Sequence, residues 1–109
     1  MDERISEVKN TISELISNII SRIDAICRTY NDTDTFEADR LQHLFDDLQA
    51  LAEGMDFLKE YSESIDLFEF QEKLDLMERA LDANDRMLFI DIMQYELKGL
   101  LEFWREILI

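Results

Sequence analysis

Apolar side chains nearly encircle the last predicted helix of this chain, which limits the folds that it can join. Between residues 86 and 109, 15 of 24 residues are apolar, and only a narrow polar stripe interrupts them. On a helical wheel of about 100° per residue, the carboxylate of Glu96 falls in the middle of the apolar face, opposite that stripe. Such a helix needs packing partners on more than one side. It therefore occupies a central place in a bundle, forms the seam of a homodimer, or offers a surface to another protein.

The pattern of the whole chain predicts one all-α domain over residues 1–109. The sequence contains no proline and two glycines, whereas β architectures need more turn residues than this. A chain of this length buries enough surface to fold without a disulfide or a metal. Apolar residues recur at spacings of three and four, and the polar breaks between these runs are short. We therefore expect an antiparallel four-helix bundle, connected up-down-up-down, with helices at about 2–30, 36–61, 67–82 and 86–108.

Short polar side chains mark the expected helix boundaries. After a loop at residues 31–35, Asp34 or Thr35 is expected to cap the second helix, and Asp66 to cap the third. The apolar stripe changes phase near residues 61–67, which favours a break there over one continuous helix. Asn84 is expected to adopt the left-handed conformation in a tight turn, and Asp85 to cap the last helix.

The second predicted helix is apolar on two sides in its C-terminal half. Behind its main stripe lie Ala50, Gly54, Phe57 and Tyr61. Glycine in a helix interior costs about 1 kcal/mol relative to alanine. Its presence at position 54 predicts either the close approach of another helix or a kink.

The chain is strongly acidic, and its charge is unevenly distributed. The formal net charge is −15; residues 1–30 hold five acids and four bases, a net −1, and residues 31–109 hold 21 acids and seven bases, a net −14. This charge repels phosphate backbones and anionic lipids, so we expect no binding to nucleic acid or membrane. Most of the acids are expected to be solvated, and any partner is expected to be basic or apolar.

The sequence gives no sign of export or membrane insertion. The N-terminal residues are charged, no apolar run follows them, and no stretch approaches the roughly 18 uncharged residues of a membrane span. We therefore expect a cytoplasmic protein. Cys27 is the only cysteine, which excludes an intramolecular disulfide, and its place on the apolar side of the first helix predicts core packing.

The sequence lacks the motifs of common catalytic and metal sites. A di-iron bundle needs two Glu-x-x-His repeats, and the only histidine, His43, belongs to none. Residues 31–37 lack the central glycine of a calcium-binding EF-hand loop, and Cys27 lies on a different predicted helix from His43. Acidic pairs at residues 69–72 and 82–85 loosely resemble those of all-helical nucleotide pyrophosphatases, but the second pair falls on a turn. We expect no enzymatic activity, no cofactor and no bound metal.

Glu96 and nearby aromatic residues are the leading candidates for a binding site. A carboxylate in a packed interior is costly unless it meets a base or several hydrogen-bond donors. Glu96 is therefore paired inside the bundle, faces solvent at a gap or rim, or forms a charged anchor for another protein. The candidate partner-binding residues are Tyr95, Glu96, Leu100, Phe103, Trp104, Phe57 and Tyr61. The aromatic members are also common core residues, although tryptophan and tyrosine are over-represented at binding hot spots when exposed.

The C-terminal part of the chain resembles a group of known proteins. Residues 84–91, Asn-Asp-Arg-Met-Leu-Phe-Ile-Asp, and residues 95–104, Tyr-Glu-Leu-Lys-Gly-Leu-Leu-Glu-Phe-Trp, look like the ending of short, uncharacterised helical proteins of Gram-positive anaerobic bacteria. The matching positions are Asp85, Asp91, Tyr95, Glu96, Leu97, Leu100, Leu101 and Trp104. This resemblance implies no activity. More loosely, a small acidic bundle that ends in an apolar helix is similar to flagellar export chaperones, which cover an aggregation-prone helix of a client.

These observations predict a non-enzymatic interaction protein, chaperone-like or adaptor-like, whose apolar C-terminal helix packs against a helix of a protein partner. The alternative is an obligate homodimer that uses its apolar surplus in self-association and has a structural or regulatory role. A small magnesium-dependent enzyme is the third and least favoured hypothesis.

Overall fold

Four helices make up the chain in a computed structural model, which describes residues 3–62 and 64–108. The helices are α1 (Glu3–Thr33), α2 (Ala38–Leu58, followed by a 3-10 turn at Lys59–Tyr61), α3 (Leu67–Asp82) and α4, which runs through three consecutive segments at Arg86–Asp91, Ile92–Leu97 and Lys98–Ile107. The described residues contain no strand. The all-α four-helix fold is therefore confirmed, as is the break between the second and third helices. The predicted start of the first helix at residue 2 lies outside the described residues.

The helices alternate in direction around the bundle. In each pair of neighbours, the residue number falls on one helix as it rises on the other. The contacts that fix these directions are Arg22–Asp47 and Arg40–Thr29 between α1 and α2, Lys98–Asp24 and Arg105–Ser17 between α1 and α4, and Lys73–Glu96 and Phe70–Trp104 between α3 and α4. α2 and α3 meet only loosely, and α2 lies diagonally opposite α4.

A continuous apolar core runs through the bundle. Its largest fully buried side chains come from all four helices: Trp104, Phe70, Phe89, Ile16, Ile19, Ile23, Leu44, Leu48, Leu51, Met55, Leu58 and Met77. Removal of apolar surface from water stabilises a fold by roughly 25 cal/mol per Å². No polar or charged residue is buried within the described part of the chain. The interior therefore depends on apolar packing.

Asp66 and Asp85 cap helices as the sequence predicts. The Asp66 side chain accepts a hydrogen bond from the Glu69 N–H at 3.1 Å, and the Asp85 side chain accepts one from the Leu88 N–H at 3.1 Å. Asn84 has a φ of 56°, in the left-handed region. The two carboxylates satisfy N–H groups that have no partner inside the first helical turn. They fix where α3 and α4 begin.

The first loop differs from the prediction. α1 continues three residues beyond its expected end, from Tyr30 to Thr33. Asp34 then adopts a φ of 57°, and its N–H donates to the Tyr30 carbonyl oxygen at 2.7 Å, so this residue ends α1. α2 begins after Glu37, which makes no side-chain capping bond. The prediction that Asp34 or Thr35 caps the second helix is wrong.

Gly54 lies where α2 packs closely against α1. A Cβ atom at this position would lie 2.7 Å from Ile12 Cδ1 and 3.1 Å from Ile12 Cγ1. Carbon atoms pack at about 3.5–4.0 Å, so a larger residue would displace Ile12. Close approach of another helix, one of the two predicted reasons for this glycine, is confirmed. Gly99 in α4 differs, because beyond its own stretch of helix no described residue lies within 4 Å of a Cβ atom at this position.

Leucine at positions 54 and 99 should therefore have opposite effects on stability. We expect Gly54→Leu to force α1 and α2 apart, and overpacking of this kind typically costs about 1–3 kcal/mol. Gly99→Leu places its side chain in open space and removes a glycine from a helix, so we expect an unchanged free energy of unfolding or a gain of up to about 1 kcal/mol. Urea denaturation measures both values. Equal effects of the two substitutions would contradict the contact assigned to Gly54.

Candidate protein-interaction surface

A wide turn in the middle of α4 sets the direction of every side chain that follows it. Residues Ile92–Leu97 form a π-helix, and the Lys98 N–H donates to the Met93 carbonyl oxygen, five positions earlier. A turn with this spacing takes more residues than an α-helical turn. Side chains after the turn therefore point in directions around the helix axis that lag behind those given by a helical wheel of about 100° per residue. The ideal wheel consequently misplaces the C-terminal half of α4.

Glu96 lies at a rim of the bundle and is half exposed. Its Oε1 atom is 3.6 Å from the Nζ atom of Lys73 on α3, and the same ammonium is 3.7 Å from Glu69 Oε1. The predicted position of Glu96 in the middle of the apolar face is wrong, because Tyr95 and Glu96 lie together on the exposed side of α4, whereas Leu97, Leu100 and Trp104 are buried. Of the three environments predicted for the carboxylate, the structure shows the rim, with a lysine beside it.

Leu100 and Trp104 belong to the core, so their assignment to a partner-binding surface is wrong. Trp104 is fully buried, and its ring centroid lies 5.0 Å from that of Phe70 on α3. Leu100 is buried with it. The indole N–H of Trp104 has no hydrogen-bond partner among the described residues. Large aromatic side chains remove much apolar area from water, and apolar packing holds this one.

An exposed row of side chains follows the outer side of α4. Every fourth residue from Met87 to Phe103 is exposed, and we call Met87, Asp91, Tyr95, Gly99 and Phe103 the outer ridge. Tyr95 is 71% exposed and Phe103 48%. Rows of residues four apart are the ridges by which helices interlock with one another. The outer ridge thus has the form of a helix-packing surface without a helix on it.

The surroundings of the outer ridge are acidic, because two cations of α4 turn towards α1. Lys98 Nζ lies 2.7 Å from Asp24 Oδ1, and Arg105 donates to a serine hydroxyl of α1 at 3.3 Å. The hydrogen bond to Asp24 raises the pKa of Lys98, so its ammonium stays charged at neutral pH. Glu102 and Glu106 remain exposed. A molecule that approaches this side of α4 therefore meets carboxylates beside aromatic rings.

Phe57 and Tyr61 form a separate aromatic pair on α2. Their ring centroids are 5.8 Å apart, and they are 43% and 48% exposed. Because α2 lies diagonally opposite α4, this pair does not join the outer ridge. Five of the seven predicted residues are thus exposed, on two surfaces: Tyr95, Glu96, Phe103, Phe57 and Tyr61.

Other exposed apolar residues were not identified from the sequence. Phe68, Met87 and Leu88 are all exposed, each two or three positions after the capping residue Asp66 or Asp85. The first turn of a helix projects beyond the packed part of a bundle. An apolar residue in that turn is therefore a weaker indication of a buried side chain. Their position in the first helical turn is the sequence signal that could have identified these three residues as exposed.

The described residues give little support to a metal site, a reactive cysteine or a membrane-spanning helix. They hold no group of three or more histidine, cysteine, aspartate or glutamate side chains placed to bind a metal ion. Cys27 is buried, and this burial, with Asp24 nearby, raises the pKa of its thiol, which stays protonated at neutral pH. His43 is exposed. None of the helices in the described ranges has the length and apolar character needed to cross a membrane.

Comparison with known families gives one match. A family model described as a domain of unknown function, DUF8042, matches residues 7–107, almost the whole chain. No curated protein and no solved structure matches. The expectation of an uncharacterised family is therefore confirmed. The bacterial group and the likeness to flagellar export chaperones stay predictions.

Truncation of two adjacent aromatic residues should separate core from surface. We expect Trp104→Ala to lower the free energy of unfolding by about 3–5 kcal/mol, because it leaves a large cavity beside Phe70. Phe103→Ala should change it by less than about 1 kcal/mol, because half of that side chain is already in solvent. Chemical denaturation compares the two variants, and similar losses would contradict the burial assigned to Trp104.

Neutralisation of Glu96 tests its place at the rim. Exposed ion pairs contribute about 0–1 kcal/mol, so Glu96→Gln should cost no more than this, with a smaller effect at high salt. Glu69→Gln is the matched control, since Glu69 is a half-exposed carboxylate beside the same lysine. A loss of about 3 kcal/mol or more for Glu96→Gln alone would indicate a buried pair instead.

Proposed function

The chain belongs to the DUF8042 family, and we propose that it is a non-enzymatic protein-interaction module whose docking surface is the outer ridge of α4. The observation that carries this proposal is the placement of Tyr95 and Phe103, both exposed, on either side of a glycine with open space beside it. Exposed tyrosine is enriched at the hot spots of interfaces. Helix-in-groove and helix-on-helix contacts use side chains at this spacing.

Gly99 supports the close approach of a partner backbone. A helical glycine costs about 1 kcal/mol relative to alanine. At Gly54 the packing of Ile12 accounts for that cost, but at position 99 no side chain among the described residues lies near enough to require a glycine. A helix that crosses the outer ridge at Gly99 would contact Tyr95 on one side and Phe103 on the other.

The charge around the outer ridge favours a foreign protein over a second copy. In a symmetric dimer through α4, the carboxylates of Asp91 and Glu102 would face like charges, which opposes association. A partner helix with lysine or arginine beside an apolar face would meet opposite charges. We therefore favour a chaperone-like or adaptor-like role in the cytoplasm, with homodimerisation as the alternative.

Substitutions on two helices test the proposal. Gly99→Leu blocks close approach without harm to the fold, and Tyr95→Ala with Phe103→Ala removes the aromatic contacts. Phe57→Ala with Tyr61→Ala is the matched control, because it removes a similarly exposed aromatic pair from α2. Affinity capture from a lysate of the native cells, with mass spectrometry, should recover a stoichiometric partner that the α4 variants lose and the control retains. Sedimentation should show a monomer.

Other results would lead to different conclusions. A tight dimer that Gly99→Leu dissociates would establish the homodimer. Loss of the partner only in the Phe57 and Tyr61 variant would move the interaction to α2. Recovery of the bare monomer from every lysate would contradict an interaction module.

A further inference from the structure

The seam between α2 and α3 is open, unlike the other seams of the bundle. It contains two clefts of about 290 Å³ and about 330 Å³. Ala52 of α2 lines the first cleft together with Leu67 and Phe70 of α3. Phe45 of α2 and Leu81 of α3 line the second. We call the two clefts together the α2–α3 groove.

Partly exposed apolar residues recur every seven positions on the two helices that form this groove. Phe45 and Ala52 are seven apart on α2, and Leu67, Leu74 and Leu81 are seven apart on α3. All five pack against the core but remain partly exposed. This is the spacing by which helices pack side by side, and seven residues of helix rise about 10 Å. The lining residues of the two clefts are seven positions apart on α2, at Phe45 and Ala52, and 11 apart on α3, at Phe70 and Leu81. A further helix laid along the groove would therefore place one side chain in each cleft, at positions i and i+7 or i and i+11.

The rim of the α2–α3 groove is acidic. Glu53 and Asp56 border the first cleft, and Glu78 and Asp82 border the second, whereas no lysine or arginine lines either one. All four carboxylates are exposed. Asp56 pairs with Lys59 at 2.7 Å. The groove thus combines an apolar floor with surplus negative charge on both sides.

We infer that the α2–α3 groove binds a basic amphipathic helix of another protein. Apolar side chains at i and i+7 or i+11 fill the two clefts, and lysine or arginine residues beside them meet the carboxylates of the rim. A second copy of this chain fits less well, since it carries a net charge of −15. The groove shares no residue with the outer ridge of α4, so this site does not depend on the proposed function.

A designed peptide tests the inference directly. The probe is a synthetic helical peptide with leucines at i, i+4, i+7 and i+11 and lysine at most other positions, titrated into the full chain by fluorescence anisotropy at physiological salt. The control peptide has the same composition in scrambled order, so it has equal charge but no apolar stripe. We expect the scrambled peptide to bind at least about tenfold more weakly.

Two variants locate the bound peptide. Ala52→Trp fills a cleft with no change of charge and should weaken binding by about tenfold or more. Glu53→Lys with Glu78→Lys reverses the rim, and should weaken binding more than Glu7→Lys with Glu14→Lys, which makes the same change of net charge on α1. Circular dichroism verifies that each variant keeps its helical content. The charge-reversal pair remains informative if Ala52→Trp disturbs the fold.

Several outcomes would overturn the inference. These are an absence of binding, equal binding of the two peptides, and rim reversal without more effect than its control on α1. Peptide binding that Gly99→Leu abolishes and the groove variants leave intact would place the peptide on α4, in agreement with the proposed function but against this site. A dimer of the chain that Ala52→Trp dissociates would assign the groove to a second copy.

Discussion

The hydrogen bond from the Lys98 N–H to the Met93 carbonyl oxygen determines which way the second half of α4 faces. It closes a π-helical turn, which takes more residues than an α-helical turn. The side chains that follow are therefore rotated around the helix axis relative to an ideal α-helix. After this turn Trp104 faces the core against α3 and Lys98 reaches Asp24 on α1, whereas Glu96, within the turn, lies at the rim. The side of α4 that packs in the core, the side that meets α1 and the exposed side are thus all set out around this turn. π-helical turns are rare and occur frequently at functional sites, which agrees with a role for this helix in binding.

Local signals in the sequence were sufficient for the fold but not for every boundary or surface. The periodic isoleucines of α1 and the caps Asp66 and Asp85 act within a few residues, and the structure agrees with them. Asp34 had two local options, a helix N-cap or a left-handed end, and a long-range contact accompanies the second: Arg86 donates to its carbonyl oxygen at 3.3 Å. The π-helical turn likewise depends on packing across the bundle and not on a local sequence signal. Residue type alone also does not separate Phe103, which is exposed, from its neighbour Trp104, which is buried.

Three cations of this chain form ion pairs across its own seams, whereas most of the acids are exposed. Arg22 pairs with Asp47 between α1 and α2, Lys98 with Asp24 between α1 and α4, and Lys73 lies beside Glu96 between α3 and α4. With 11 lysine and arginine residues against 26 acids, most carboxylates have no cation available. Each exposed ion pair contributes at most about 1 kcal/mol, so these pairs add little to the stability of the fold. We propose that the surplus acids disfavour nucleic acid, anionic lipid and second copies and favour basic partners.

Two small residues leave apolar surface available on this bundle. α4 was expected to need partners on more than one side, and α1 and α3 supply two, which leaves the outer ridge around Gly99 uncovered. In the loosest seam, Ala52 stands opposite Leu67 and Phe70, where a larger side chain would fill the cleft and add to the core. Packing density stabilises a fold, and helix propensity disfavours glycine, so stability alone accounts for neither residue. The proposed binding of further helices to the outer surfaces of the bundle would account for both.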